Sequence, residues 1–246
     1  MAEHPQKAPT ELALTQLLPN MLTIAAICAG LSSVRAGFHG DYVLAVQLIL
    51  AAAILDGVDG RVARLLGSDS KMGAELDSLA DFLNFGVAPA LVLYFWVLQD
   101  MPSAAWIAVL AYSVCAVIRL ARFNVSDKAK DASSGESAYF VGVPAPAGAL
   151  LVMLPMFISF AFADAPILPG IVICFHMGAV GYLMISRIPT WSFKTTKISR
   201  RNVKFFLVAF ASIGAAVLTN PWSTLVVICA GYVGMVIWGL VLRNRR

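Results

Sequence analysis

Four aspartates and an arginine lie within residues 56–81 at spacings that invite phosphate chemistry. In the run Asp56-Gly57-Val58-Asp59-Gly60-Arg61-Val62-Ala63-Arg64, residues Asp56, Asp59, Gly60, Ala63 and Arg64 fall at i, i+3, i+4, i+7 and i+8, one face of a helix. Asp77 and Asp81 share a second face at i and i+4, which Asn84 continues at i+7. Two acidic stripes can therefore oppose each other across a helical hairpin. Converging carboxylates repel, and hard oxygen ligands suit Mg²⁺ or Mn²⁺, so two divalent cations would neutralise the four charges. Gly60, Ala63 and Gly73 remove side-chain bulk on or beside this face, and Arg64 adds a planar cation suited to phosphate oxygens. Metals and an arginine in a cleft describe phosphoryl-type transfer, in which positioning and charge neutralisation are the main effects. For one acid alone, a cap or a loop-end salt bridge such as Asp59 with Arg61 or Arg64 is the competing account. Four acids on two opposed stripes disfavour it.

The elements that must hold these residues are membrane helices. The chain has 246 residues, 59% hydrophobic and 13% charged, and a mean hydropathy of +0.80. That is about half the usual ~25% charge of a soluble domain, and the apolar residues fall in long runs, which excludes a soluble globular enzyme, a disordered chain and a barrel of short alternating strands. The reading is all-α and polytopic, a single membrane-embedded catalytic domain over residues 1–246 with a polar tail at 1–16. Eight crossings are expected, near Leu17 to Phe38, Tyr42 to the Asp56 region, Gly73 to Leu98, Pro102 to Ile118, Val143 to Ala163, Pro166 to Ile185, Val203 to Thr219, and Trp222 to Leu242. The second and third project beyond the hydrocarbon, because charged residues continue their helical spacing.

Charge then orients the bundle. With eight crossings, every Lys and Arg except Arg35 lies on the N-terminal side, so both termini and the acidic site face the cytoplasm, as in a bacterial inner membrane. The formal charge of +4 and pI near 9.0 are spread over all loops of one face, which records topology and attraction to anionic headgroups and speaks against nucleic acid. The first residues lack the charged start of a signal peptide, so the first span is retained. Cys28, Cys115, Cys174 and Cys229 are isolated in apolar spans, indicating neither a disulfide framework nor a zinc site.

From Asp56 to Asp81 the sequence reads D-x-x-D-G-x-x-A-R-x(8)-G-x-x-x-D-x-x-x-D, which resembles the signature of the CDP-alcohol phosphotransferases with every fixed position matched. The resemblance implies that Asp56, Asp59, Asp77 and Asp81 bind two divalent ions that hold the diphosphate of a CDP-linked donor, with Asp81 as general base. Gly60, Ala63, Arg64 and Gly73 would border that donor. Leu76-Asp77-Ser78-Leu79-Ala80-Asp81 with Phe85-Gly86-Val87-Ala88-Pro89-Ala90, Leu18-Pro19-Asn20, Arg119-Leu120-Ala121-Arg122-Phe123-Asn124 and Ser186-Arg187-Ile188-Pro189-Thr190 resemble the bacterial phosphatidylserine synthases of this family. That branch implies CDP-diacylglycerol as donor, L-serine as acceptor, CMP as product, membrane lipids around the site and a homodimer. Asn84 departs from it, standing where Ser is more readily expected.

A serine site needs a cation for the carboxylate, and Arg119, Arg122 and Asn124 end a span where they could supply polar contacts, with Asn84 beside the acids. The competing reading makes Arg119, Arg122 and Arg187 cytoplasmic anchors and Asn124 a helix terminator. Asn20 and Thr23 either touch the nucleotide or cap the first helix after Pro19. His176, mid-span, finds a hydrogen-bond partner or serves as an acid or base. His4 and His39 have no suggested role, while Tyr42, Trp106 and Trp222 fit an interfacial belt. Two rival functions remain: the same donor chemistry on glycerol phosphate, inositol phosphate or choline, and a divalent-cation transporter using the four aspartates as its ion site.

Overall fold

Long apolar runs become helices here because a backbone in lipid must satisfy its own hydrogen bonds. The computed structural model describes residues 14–67, 70–130, 139–162, 168–186, 189–191 and 203–243. The helices are α1 (Leu14–Phe38), α2 (Tyr42–Leu66), α3 (Lys71–Asp81), a π-helical segment (Phe82–Val87), α4 (Ala88–Val97), α5 (Pro102–Lys130), α6 (Ala145–Val152), α7 (Leu154–Ala161), α8 (Gly170–Ile185), α9 (Val203–Thr219) and α10 (Pro221–Arg243). Two three-residue strands, Tyr139–Val141 and Pro189–Trp191, pair antiparallel with Phe140 opposite Thr190. The helical, membrane-type reading of the sequence is met.

The count of eight crossings is not confirmed. Among the described residues, five helices are long and apolar enough to span a bilayer: Leu17–Phe38, Tyr42–Leu66, Met72–Val97, Pro102–Ser126 and Pro221–Gly239. The sixth and seventh expected spans appear as α8 and α9, of 16 and 17 residues. The fifth is two short helices, α6 and α7, broken at Met153. Pro155 explains the break, since it has no N–H for the Leu151 carbonyl and its ring crowds that carbonyl. The expected start at Pro166, Arg187 and the N-terminal tail to residue 13 lie outside the described residues.

α1 and α2 pack against each other along their lengths, α5 packs on α8, and α7 on α10. Tyr112, Phe85, Phe157, Ile49 and Leu93 fill the centre. Outward, Ile54, Leu65, Ile107, Phe175, Leu218 and Trp238 are exposed, a distribution that would aggregate in water and is ordinary against lipid. Up-and-down connections bring the start of α1, the end of α2, the start of α3 and the end of α5 to one end of the bundle. The tight link from α2 to α3 depends on Gly67, whose φ of 58° closes α2 with a bond to the Ala63 carbonyl, and on Ser70, whose hydroxyl accepts from the Gly73 N–H.

The π segment shapes the third crossing. In an α-helix the Phe85 carbonyl would accept from residue 89, but that residue is Pro89 and has no N–H. Ala88 N–H instead reaches the Leu83 carbonyl, one residue further back. Tyr112 of α5 donates its hydroxyl to the Phe85 carbonyl at 2.8 Å, and Ser113 donates to the Gly86 carbonyl at 3.0 Å. These two hydroxyls dock the segment on α5 and fix the helix that carries Asp77 and Asp81.

Candidate active site

The acidic stripes meet. Asp56 and Asp59 project from the last turns of α2, and Asp77 from α3. Each of the three offers a carboxylate oxygen within 4.8 Å of the other two. Asp81 adjoins the group through Asp56, with which it is in hydrogen-bond contact. At about 5 Å, two unit charges repel by about 3 kcal/mol even at an effective dielectric of 20. The cluster therefore needs compensation.

Part of it comes from α1. Thr23 donates its hydroxyl to Asp59 Oδ2 at 2.7 Å, and Thr23 Oγ1 also lies 3.1 Å from the Pro19 carbonyl one turn back. Asp59 is only 3% exposed, and its Oδ1, like Asp81 Oδ1, is buried with no hydrogen-bond partner among the described residues. A buried carboxylate oxygen left without a partner is costly. Hard oxygens, convergence and two orphaned acceptors are the donor set of a divalent-cation site.

The remaining predicted residues sort by position. Gly73 approaches α1, where a Cβ would stand 2.9 Å from Asn20 Oδ1. A Cβ on Gly60 would meet nothing within 4 Å, so that face of α2 is open, with Ala63 half-buried one turn on. Arg64 is exposed, and its Nε donates to the Gly60 carbonyl of its own helix at 2.9 Å. Its spacing placed it with the acids, but its side chain lies back along α2. Neither Asn20 nor Thr23 caps α1, because the helix begins at Leu14 and both lie inside it. Thr23 instead serves the acid cluster.

Asn124 does not end α5, which continues to Lys130. Its amide donates to Ser78 Oγ at 2.9 Å, bridging α5 to the residue after Asp77. Arg119 is half-buried; its Nε donates to the Val143 carbonyl at 2.8 Å, and its guanidinium is in electrostatic reach of Asp81 and of Tyr232 on α10. Arg122 is exposed and donates to the Ile185 carbonyl at 2.8 Å, tying α5 to α8 away from the acids. Asn84 is fully buried on the π segment, both amide atoms without a partner among the described residues. It presses on α1, where a Cβ at Gly30 would come 2.0 Å from its Oδ1. His176 sits 2.8 Å from the Leu151 carbonyl, in the structural role its mid-span place allowed.

Sequence reasoning missed the Thr23–Asp59 pair and Tyr232. The first joins residues 36 apart and needs the register of α1 on α2; a threonine at the cytoplasmic start of the first span was its only local signal. Tyr232 carries no motif at all.

The family model described as CDP-alcohol phosphatidyltransferase matches residues 16–188. A protein of Mycobacterium leprae named CDP-diacylglycerol--serine O-phosphatidyltransferase is 43% identical over 219 residues, 88% of this chain and 72% of that protein. One of the same name from Mycobacterium tuberculosis is 39% identical over 217 residues, covering 88% and 76%. Another, from Helicobacter pylori, is 35% identical over 227 residues, covering 90% and 91%.

Proposed function

Because the chain belongs to the CDP-alcohol phosphatidyltransferase family, we propose that it transfers the phosphatidyl group of CDP-diacylglycerol to L-serine, giving phosphatidylserine and CMP. The observation that carries this reading is the convergence of Asp56, Asp59 and Asp77, from two helices, to within 4.8 Å, with Asp81 beside them. Relatives bearing the serine O-phosphatidyltransferase name over most of both chains support the choice of acceptor.

Asp56, Asp59, Asp77 and Asp81 would hold two divalent cations, Mg²⁺ or Mn²⁺, which when bound supply the positive charge that neutralises the donor diphosphate. Thr23 fixes the Asp59 carboxylate, and the Tyr112 and Ser113 hydroxyls fix the segment behind Asp81. The open face at Gly60 and Ala63 borders the donor, with Gly73, Asn20 and Arg64 at its edge. Asp81 takes the proton from the serine hydroxyl. The freed oxygen attacks the phosphorus that bears the diacylglycerol, the bond from that phosphorus to the oxygen shared with the cytidylyl phosphate breaks, and CMP departs. Arg119 lies where it can meet the serine carboxylate, with Asn124, bonded to Ser78 beside Asp77, as a further acceptor contact.

The chain is an integral membrane protein by its apolar helices and its family. Placing the site on the cytoplasmic face of a bacterial inner membrane rests on the basic residues gathered at the acidic end, and the homodimer rests on the family resemblance. The single membrane domain over residues 1–246 likewise remains part of this proposal.

Purified protein supplied with CDP-diacylglycerol, Mg²⁺ or Mn²⁺, and serine, glycerol phosphate, inositol phosphate or choline in turn tests the reading through CMP release. Release that depends on serine and is lost in Asp81→Asn is expected. Release dependent on another alcohol replaces the acceptor, and full turnover in Asp81→Asn removes the base.

A further inference from the structure

Donor chemistry is what a family of CDP-alcohol enzymes has in common, so the choice of alcohol must come from elsewhere, and the family match ends before α10 begins. α10 carries Tyr232 inward: its ring packs on the main apolar core, and its hydroxyl is buried with no hydrogen-bond partner among the described residues. Leaving a phenol O–H unpaired in such a place is unfavourable unless a ligand completes it.

The register of α10 shows where that hydroxyl sits. α10 runs antiparallel to the α6–α7 pair: Trp222 meets Phe160 with ring centroids 4.9 Å apart, and two turns on, the Cys229 thiol reaches the Leu150 carbonyl at 3.7 Å. One further turn brings Tyr232 level with the start of α6, where the Val143 carbonyl holds Arg119 Nε at 2.8 Å. In keeping with this register, the Arg119 guanidinium is in electrostatic reach of both Tyr232 and Asp81. With Nε committed to Val143, the two terminal nitrogens of Arg119 are the part of the fork left for a ligand, and Tyr232 adds a third donor beside them.

Resting on the serine reading given above, we infer that Tyr232 and Arg119 form the subsite for the acceptor's carboxylate, and that Tyr232 sets the preference for an amino-acid alcohol over alcohols lacking that group. The carboxylate takes the guanidinium fork and the phenol O–H, and the acceptor's hydroxyl is thereby turned towards Asp81. An alcohol without the carboxylate leaves these buried donors unpaired, which is how a polar site rejects an analogue that lacks the matching group.

The test uses the full chain in mixed micelles with CDP-diacylglycerol and Mg²⁺, comparing serine with ethanolamine, which is serine without its carboxylate. Tyr232→Phe, a change of one oxygen, is expected to raise KM for serine about 10- to 100-fold. KM for CDP-diacylglycerol stays put, and the preference for serine over ethanolamine shrinks by a similar factor. An unchanged KM for serine overturns the subsite, as does a rise in both KM values together with a lowered Tm, which would mark a packing loss. Independently of any variant, the unaltered protein is expected to use serine methyl ester poorly, and equal use of ester and free serine overturns the inference. A wild-type protein that ignores serine and uses another alcohol instead refutes the serine reading itself, so the two failures are told apart.

Discussion

Gly30→Ala is the sharpest probe of how α1 holds the acidic helices. A methyl group built on Gly30 stands 2.0 Å from Asn84 Oδ1, 3.1 Å from its Cγ and 3.7 Å from its Cα. Rotating the amide moves the oxygen, but Cγ and the backbone behind it stay close, so α1 and the π segment must part by about an ångström or Asn84 must leave its rotamer. Over-packing of this kind costs about 1–3 kcal/mol, and at about 2–4 °C per kcal/mol for a chain of this size the Tm falls by about 2–12 °C. The same displacement pulls Thr23, two turns earlier on α1, away from Asp59 and lifts Asp81, one turn before Asn84, from its place, so CMP release falls as well. Scanning thermal unfolding in one detergent at one heating rate measures the first effect. The control is the double variant Gly30→Ala with Asn84→Ala, in which the added methyl replaces the removed amide and much of the loss is recovered. A Gly30→Ala protein as stable as the parent, or a double variant less stable than Gly30→Ala alone, would refute the close contact.

Three further outcomes follow from the same geometry. Thr23→Val keeps the shape but removes the donor to Asp59, so activity or metal affinity should fall about 10- to 100-fold with a higher Mg²⁺ requirement in a metal titration, while Thr23→Ser retains both. Tyr112→Phe strips the buried Phe85 carbonyl of its hydroxyl donor and should cost about 1–3 kcal/mol, read as a lower Tm, with Ser113→Ala costing less because Ser113 is only half-buried. Chelation by EDTA should abolish CMP release and lower the Tm, and Mg²⁺ or Mn²⁺ should restore both; saturation at 100 times Kd is worth about 2.7 kcal/mol. A parent Tm indifferent to Mg²⁺, or a Tm response kept in full by Asp59→Asn, would leave the carboxylates without the role assigned to them.

What could be read from the sequence, and what could not, divides by distance along the chain. The two acidic stripes were legible because i, i+3, i+4 and i+7 spacings are local and survive any packing, and the long apolar runs located the apolar stretch of each helix, though α2 and α5 run well past their apolar ends to Leu66 and Lys130. Features that depend on register between helices were not. Thr23 looked like a cap until α2 was laid beside α1, and Asn124 looked like a stop until α5 ran past it. Arg64 has the spacing of the acids, but a free carbonyl at Gly60 within its own helix holds its Nε. The break in the expected fifth crossing was missed for another reason: Pro155 was visible, yet an uninterrupted apolar run outweighed it. The π segment is the converse case, since Pro89 is a local cause but its consequence, two hydroxyls from α5 filling carbonyls on the third crossing, is a tertiary one.

The same packing decides between transfer and transport. A cation path would carry polar side chains from the acids towards the far end of the bundle. Moving inward from Asp81, the buried polar side chains among the described residues are Asn84, itself fully enclosed, and Ser33, whose hydroxyl is given to the Gly30 carbonyl at 2.7 Å. Beyond them the interior is Phe85, Val92 and Leu93 from the third crossing, Ile49 and Val46 from α2, and Tyr112 from α5, each 1% exposed or less. Tyr112 gives its hydroxyl to a backbone carbonyl and so offers nothing to an ion. Among the described residues, an ion reaching the aspartates thus meets an apolar floor with no charged side chain to receive it. A donor with a charged head and lipid tails has no such difficulty, because its head enters from the polar end where the acids lie and its tails remain against the exposed apolar flanks of the helices. Four carboxylates near one end of a bundle also pay less for desolvation than they would at mid-bilayer, and that end is where the diphosphate of a lipid donor is found.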